Sequence, residues 1–145
     1  MATFLRRTTP LLPVARRLSH PQLHSSAASR EHYINATKAV FDQVVSNAPS
    51  DRVVLVDFYA EWCGPCHALS PILRDLTDTH TTGSGAPLDL LTIDIENEAD
   101  GGWDLGQRFK VRALPTVIAF RKGERLAQFV GALNEGGVKK FIDGL

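Results

Sequence analysis

Cysteine is scarce in this chain of 145 residues: there are two, with two residues between them. A secreted disulfide scaffold uses more cysteines at wider spacing. A structural zinc site needs about four ligands, and no second cysteine pair is present to supply them. Long apolar runs are also missing. Nothing approaches the roughly 18 consecutive apolar residues of a membrane span, so a spanning helix is excluded. Acidic residues are absent from the first thirty positions, which carry Arg6, Arg7, Arg16, Arg17 and Arg30. The formal net charge of zero therefore joins a +5 head to a −5 body. The acidic body argues against nucleic-acid binding, which needs a basic footprint. Internal repeats and low-complexity tracts are absent too. What remains is one ordinary domain with a tail, 43% hydrophobic and only 8% aromatic.

Residues 1–30 read as an address. Arg6-Arg7, Leu11-Leu12 and Arg16-Arg17-Leu18 interleave basic and apolar groups in a Ser/Thr/Ala-rich background. This is the composition of an organellar transit peptide, cleaved between residues 18 and 30. A secretory signal fits less well, because the apolar core at 11–15 is short and broken by Pro13. Arginine density favours the mitochondrial matrix, with chloroplast or cytoplasm as alternatives. A basic tail with no targeting role is the competing reading.

From residue 31 the pattern alternates. Residues 32–35 suit a short edge strand. Thr37 can cap a helix through Val40, Phe41, Val44 and Val45. Residues 53–59 form a β-branched and aromatic run suited to a strand covered on both faces. Leu69, Ile72, Leu73 and Leu76 make one helical face over 63–79, with Pro71 inside it, where a kink is expected. A strand is expected over 88–95, with Leu91, Ile93 and Ile95 alternating. A short helix is expected around Trp103 and Leu105. Residues 116–120 and 126–130 read as a hairpin closed by Arg121-Lys122-Gly123-Glu124. Asn134 caps a last helix. This order implies an α/β fold: a mixed sheet of about five strands flanked by about four helices, over residues 31–145.

The chemistry centres on Trp62-Cys63-Gly64-Pro65-Cys66, between the buried strand and the helix. Disulfide exchange needs one thiolate to attack and a second thiol to release the mixed disulfide. Cys63 falls at the helix N-terminus, where free N–H groups and the macrodipole favour a thiolate. It should be the more exposed sulfur. Cys66, one turn inward, should resolve. Pro65 presets the helix start, and Gly64 removes bulk near the sulfur. By spacing alone, two ordinary reduced thiols remain an alternative.

Residues 56–66, reading VDFYAEWCGPC, closely resemble the active-site segment of thioredoxins. Pro71, Ala113-Leu114-Pro115-Thr116, Lys122-Gly123-Glu124 and Val130-Gly131-Ala132 match further family motifs in order. The similarity runs over essentially the whole body. It implies a thioredoxin-like fold and a protein-disulfide reductase that works through a mixed disulfide between substrate and Cys63. It also implies a redox-active Cys63–Cys66 disulfide with no bound cofactor or metal, and recycling by an NADPH-dependent thioredoxin reductase. Oxidised proteins would be the substrates, and the chain is expected to be a monomer.

The resemblance assigns Asp57, the one polar residue of its strand, to deprotonating Cys66. Burial should raise its pKa; a solvated strand-end carboxylate is the bland alternative. Pro115 is implied to follow a cis peptide bond and to offer its loop as a substrate edge, against an ordinary trans turn proline. Trp62 should line the site or pack in part against the core. His67 stands where the family often has a cation. Two departures are visible. A lysine common in the family aligns with Leu90, which deprives Asp57 of a cationic partner. Extra residues occur around 96–103, on the side where partners dock, and Trp103 is expected to anchor them by packing. A non-catalytic binding module with the same fold is the rival function, but a pure scaffold has no physical need for Cys63, Cys66, Asp57 and Pro115 together.

Overall fold

A computed structural model describes residues 29–145, so the reading of 1–30 as a leader lies almost wholly outside the described residues. The elements are β1 (His32–Tyr33), α1 (Lys38–Asn47), β2 (Val53–Tyr59), α2 (Gly64–Thr79), β3 (Leu88–Asp94), α3 (Gly102–Arg108), β4 (Thr116–Arg121), β5 (Glu124–Val130) and α4 (Glu135–Asp143). The five strands form one sheet in the order β1-β3-β2-β4-β5. β2 lies parallel to β3 and antiparallel to β4, and the β4–β5 pair is antiparallel. This is the mixed sheet and the four helices that the sequence implies. Among the described residues, no helix is long and apolar enough to cross a membrane.

Residue alternation divides the sheet into two faces. Val53 and Leu55 of β2 join Leu88 and Leu90 of β3 and pack under Leu69, Leu73 and Leu76 of α2 and Val138 and Ile142 of α4. Val54, Val56 and Phe58 face the other way, with Leu91 and Ile93, against Phe41 and Val45 of α1 and Leu105 of α3. β2 is therefore buried throughout until Tyr59, as its unbroken apolar run requires. β3 departs from its expected alternation, since Leu88 to Ile93 are all buried. Its two buried polar members, Asp89 and Thr92, are accommodated by partners that lie far off in sequence: Arg52 for Asp89 and the Asn35 N–H for Thr92.

Local chemistry sets the boundaries. Thr37 and Asn134 cap α1 and α4 by accepting from Val40 N–H and Gly137 N–H. β1 is shorter than expected because Asn35 turns left-handed, with φ 52°. The hairpin is tighter than expected. Strands β4 and β5 take in Arg121 and Glu124, leaving Lys122-Gly123 as the whole connection, and both residues have positive φ, 54° and 78°. That is the turn whose twist suits a two-residue hairpin, and glycine fits its second position.

Trp103, the expected anchor of the extra residues around 96–103, is instead 49% exposed. The close packing here is made by Gly102: a Cβ there would lie 1.9 Å from the Asp94 carbonyl oxygen. Only glycine lets α3 begin so close to the end of β3, with Leu105 filling the core behind it. The additional segment ahead of α3 folds around Asn97, whose side chain accepts from the Asp100 N–H, while the Asp100 carbonyl receives the Lys38 N–H at the start of α1.

Candidate active site

Ala60, Glu61 and Trp62 carry the chain from the end of β2 to the start of α2. Cys63 is the N-cap of α2, extended at φ −82°, ψ 97°. Its Sγ accepts from the Cys66 N–H at 3.3 Å, and its carbonyl receives the N–H groups of Cys66 and His67. A helix begins with N–H groups that have no partner inside the helix. One of them is satisfied here by sulfur. Pro65 occupies the first turn, where its missing N–H leaves no carbonyl unpaired. Cys63 and Cys66 are joined by a disulfide, their Cα atoms 5.3 Å apart. Cys63 is 3% exposed and Cys66 not at all, so any partner reaches the pair through Cys63.

A Cβ added at Gly64 would meet no other part of the chain within 4 Å, so bulk there would confront an incoming partner. Trp62 is 69% exposed. It flanks a shallow groove with Ile95, Val111, Arg112, Ala113 and Leu114. The Leu114–Pro115 bond is cis. Pro115 is buried, whereas Arg112 and Ala113 just before it are exposed. The structure thus gathers Trp62 and the loop before Pro115 around one groove, and Ile95 and Leu114 of that groove pack against Cys63 and Cys66. His67 lies outside that groove; its Nε2 is 2.8 Å from the Glu61 carbonyl oxygen.

Asp57 lies within β2, wholly buried, and among the described residues neither carboxyl oxygen has a hydrogen-bond partner. Desolvation pushes its pKa from 3.8 up to about 7. Leu90, at the position where a lysine is absent, is packed into the apolar cluster on the same sheet face, so no ammonium offsets that penalty. Tyr59, two residues on, has its phenol raised by burial, with Asp94 and Glu61 adding to the effect. Its hydroxyl donates to the Asn35 side chain. The reading from sequence missed Thr92, which comes beside β2 through the β2–β3 pair, and Asn35, which follows β1 and is brought there by the β1–β3 pair and its bond to Thr92. Nothing in their local sequence signals this. Among the described residues, no three His, Cys, Asp or Glu side chains gather to hold a metal.

The thioredoxin family model matches residues 32–144. The chain belongs to the thioredoxin family. It is 36% identical over 117 residues to a chloroplastic thioredoxin of Arabidopsis thaliana, a match covering 80% of this chain and 63% of that protein. It is 35% identical over 113 residues to a thioredoxin of Pseudomonas aeruginosa, covering 78% of this chain and 95% of that one. A mitochondrial thioredoxin of Schizosaccharomyces pombe is 38% identical over 99 residues, covering 68% and 67%. Among solved structures, a thioredoxin of Halobacterium salinarum superposes with a TM-score of 0.62 at 32% identity, over 79% of this chain and 89% of that one. Thioredoxins are thiol–disulfide oxidoreductases, and this member holds its Cys63–Cys66 pair as a disulfide at a helix N-terminus.

Proposed function

We propose that the chain reduces disulfides of other proteins, with Cys63 as nucleophile, Cys66 as resolving thiol and Asp57 as the proton acceptor for Cys66. The observation that carries this reading is the N-cap position of Cys63, whose sulfur accepts a helix N–H. Negative charge on that sulfur is supported by the N–H and by the macrodipole, so the reduced form presents a thiolate. The Cys63 thiolate attacks a substrate sulfur. The substrate disulfide breaks, one substrate thiolate leaves, and a mixed disulfide forms. Cys66 then gives its proton to the Asp57 carboxylate and attacks the Cys63 sulfur. The second substrate thiolate leaves and takes up a proton from water. The substrate gains two electrons, and the chain ends as the Cys63–Cys66 disulfide.

Trp62 and the loop before Pro115 offer an extended substrate segment an apolar wall and an exposed backbone. Gly64 leaves that approach open, and Pro65 fixes the turn that brings the two sulfurs together. Return to the dithiol falls to an NADPH-dependent thioredoxin reductase. The basic composition of residues 1–30 supports a mitochondrial matrix location; one relative is mitochondrial and another chloroplastic. The domain of residues 31–145 works as a monomer.

Insulin reduction by dithiothreitol tests the reading. The native chain should accelerate it and Cys63→Ser should not. Cys66→Ser should accumulate a mixed disulfide that is visible by mass. A folded native chain without acceleration would reject the assignment. A reporter carrying residues 1–30 should enter mitochondria; its retention in the cytosol would reject the compartment.

A further inference from the structure

Asp57 presents the molecule with a difficulty of its own. A carboxyl group that must ionise is placed where no donor of the described residues reaches it. Its surroundings can be named element by element. On the same face of β2 stands Tyr59, whose hydroxyl is committed to Asn35. β4 contributes Val117 and Ala119, and α4 contributes Val138 and Ile142, all apolar. α2 brings Cys66 within the apolar body of the protein, with Arg74 further along at the surface. On β3, Leu90 is apolar and Asp94 lies at the strand end. Of the neutral polar side chains, Ser70 of α2 donates to the Cys66 carbonyl, and β3 offers one directly beside the carboxyl. Thr92 is the register partner of Asp57 across the parallel β2–β3 pair. Leu55 and Leu90, the pair just before, share the α2 face, so by strand alternation Asp57 and Thr92 share it too.

Thr92 has a second neighbourhood. Although only 5% exposed, it lines a groove of about 340 Å³ between residues 34–35 and α2, together with Asn35, Tyr59, Ser70 and the titratable or charged Glu61, His67 and Arg74. Its Oγ1 accepts the Asn35 N–H at 2.9 Å. That bond fixes the oxygen and leaves the hydroxyl hydrogen free to point elsewhere. The groove is wide enough and polar enough to hold water.

We propose that Thr92 is a positioning residue for Asp57: its hydroxyl holds a water, admitted from this groove, that hydrogen-bonds to the ionised carboxylate. The device stands where a cationic partner is missing. It sets the pH at which Asp57 becomes a base, and it rests on the role given to Asp57 above. When Asp57 has taken the Cys66 proton, the same water carries that proton to the groove, and no other bond changes.

The test titrates Asp57 by carbon NMR of its carboxyl in the full chain with the disulfide closed, a state in which neither cysteine ionises. Thr92→Val should raise the midpoint by about one pH unit, the size expected for losing one hydrogen bond to a charge. Thr92→Ser should restore the native midpoint. A folded Thr92→Val with the native midpoint overturns the proposal; should valine prevent folding, Thr92→Ala makes the same comparison. The pH profile for release of a preformed mixed disulfide by Cys66 should move with the midpoint, and a profile that stays in place while the midpoint moves would also overturn it. Asp57→Asn separates the two ideas. If that variant resolves mixed disulfides as fast as the native chain, the role of Asp57 fails, whatever Thr92 does.

Discussion

At the scale of single residues, the site is defined by one sulfur placed well and one carboxyl placed badly. Cys63 gains from its position, because the Cys66 N–H in the first turn of α2 points at its sulfur. Asp57 loses from its position, and the loss is measurable as stability. Unfolded, its carboxyl ionises near 3.8; folded, it ionises at about 7. Between those values the native chain keeps a proton that the unfolded chain has released. Stability therefore falls as pH rises through this window and levels off above about 7. A shift of roughly three units corresponds to a loss on the order of 4 kcal/mol at most. Asp57→Asn does not titrate, so it should lack this decline. Denaturant midpoints of the oxidised protein from about pH 4 to about pH 8 would show it. The diagnostic quantity is the slope with pH, since the buried asparagine adds a constant cost of its own. Parallel slopes for the two proteins would mean that Asp57 is already ionised in the folded chain at low pH.

At the scale of elements, helix α3 separates what composition suggests from what packing does. Trp103 draws the eye as an anchor, but it stands half exposed, while its neighbour Gly102 touches the Asp94 carbonyl. Gly102→Ala forces β3 and α3 apart and should cost about 2 kcal/mol or more. Trp103→Ala should cost less than about 1 kcal/mol. Thermal melts of the two variants check the order, and a larger loss for Trp103→Ala would reverse this account. The contrast also shows what was legible in the sequence. Elements governed by local rules were readable: the β2 run, the heptad-like face of α2, the caps at Thr37 and Asn134, and the cysteine pair at a strand–helix junction. Features made by approach in space were not. The closeness of Gly102 to β3 leaves no mark on neighbouring residues. The double burial of β3 is hidden by Asp89 and Thr92, which look solvent-facing until Arg52 and Asn35 arrive through pairing. The groove beside Thr92 is likewise a product of the β1–β3 register.

At the scale of the whole molecule, the sheet has two ends with different work. The disulfide sits beyond the C-terminal end of β2. At the other end, Arg52 precedes β2 and grips Asp89 of β3 with two guanidinium nitrogens, while Asp89 also receives the Glu31 N–H. Both side chains are about nine-tenths buried, and the carboxylate beside Arg52 holds the guanidinium above its usual pKa despite burial. The pair ties the entry of the chain, the start of β2 and the start of β3 into one knot. Removing one partner leaves a buried charge alone, which costs about 3–5 kcal/mol. Arg52→Ala should therefore lower the melting temperature sharply. Arg52→Met combined with Asp89→Leu removes both charges and keeps the volume, so it should recover most of the loss. The seven residues of β2 separate this knot from Cys63 by about 20 Å. Well below its melting temperature, the double variant should reduce insulin at the native rate. A double variant as unstable as Arg52→Ala would place the value of the pair in its charge, and one that was stable but slow would show that the two ends of the sheet are mechanically linked.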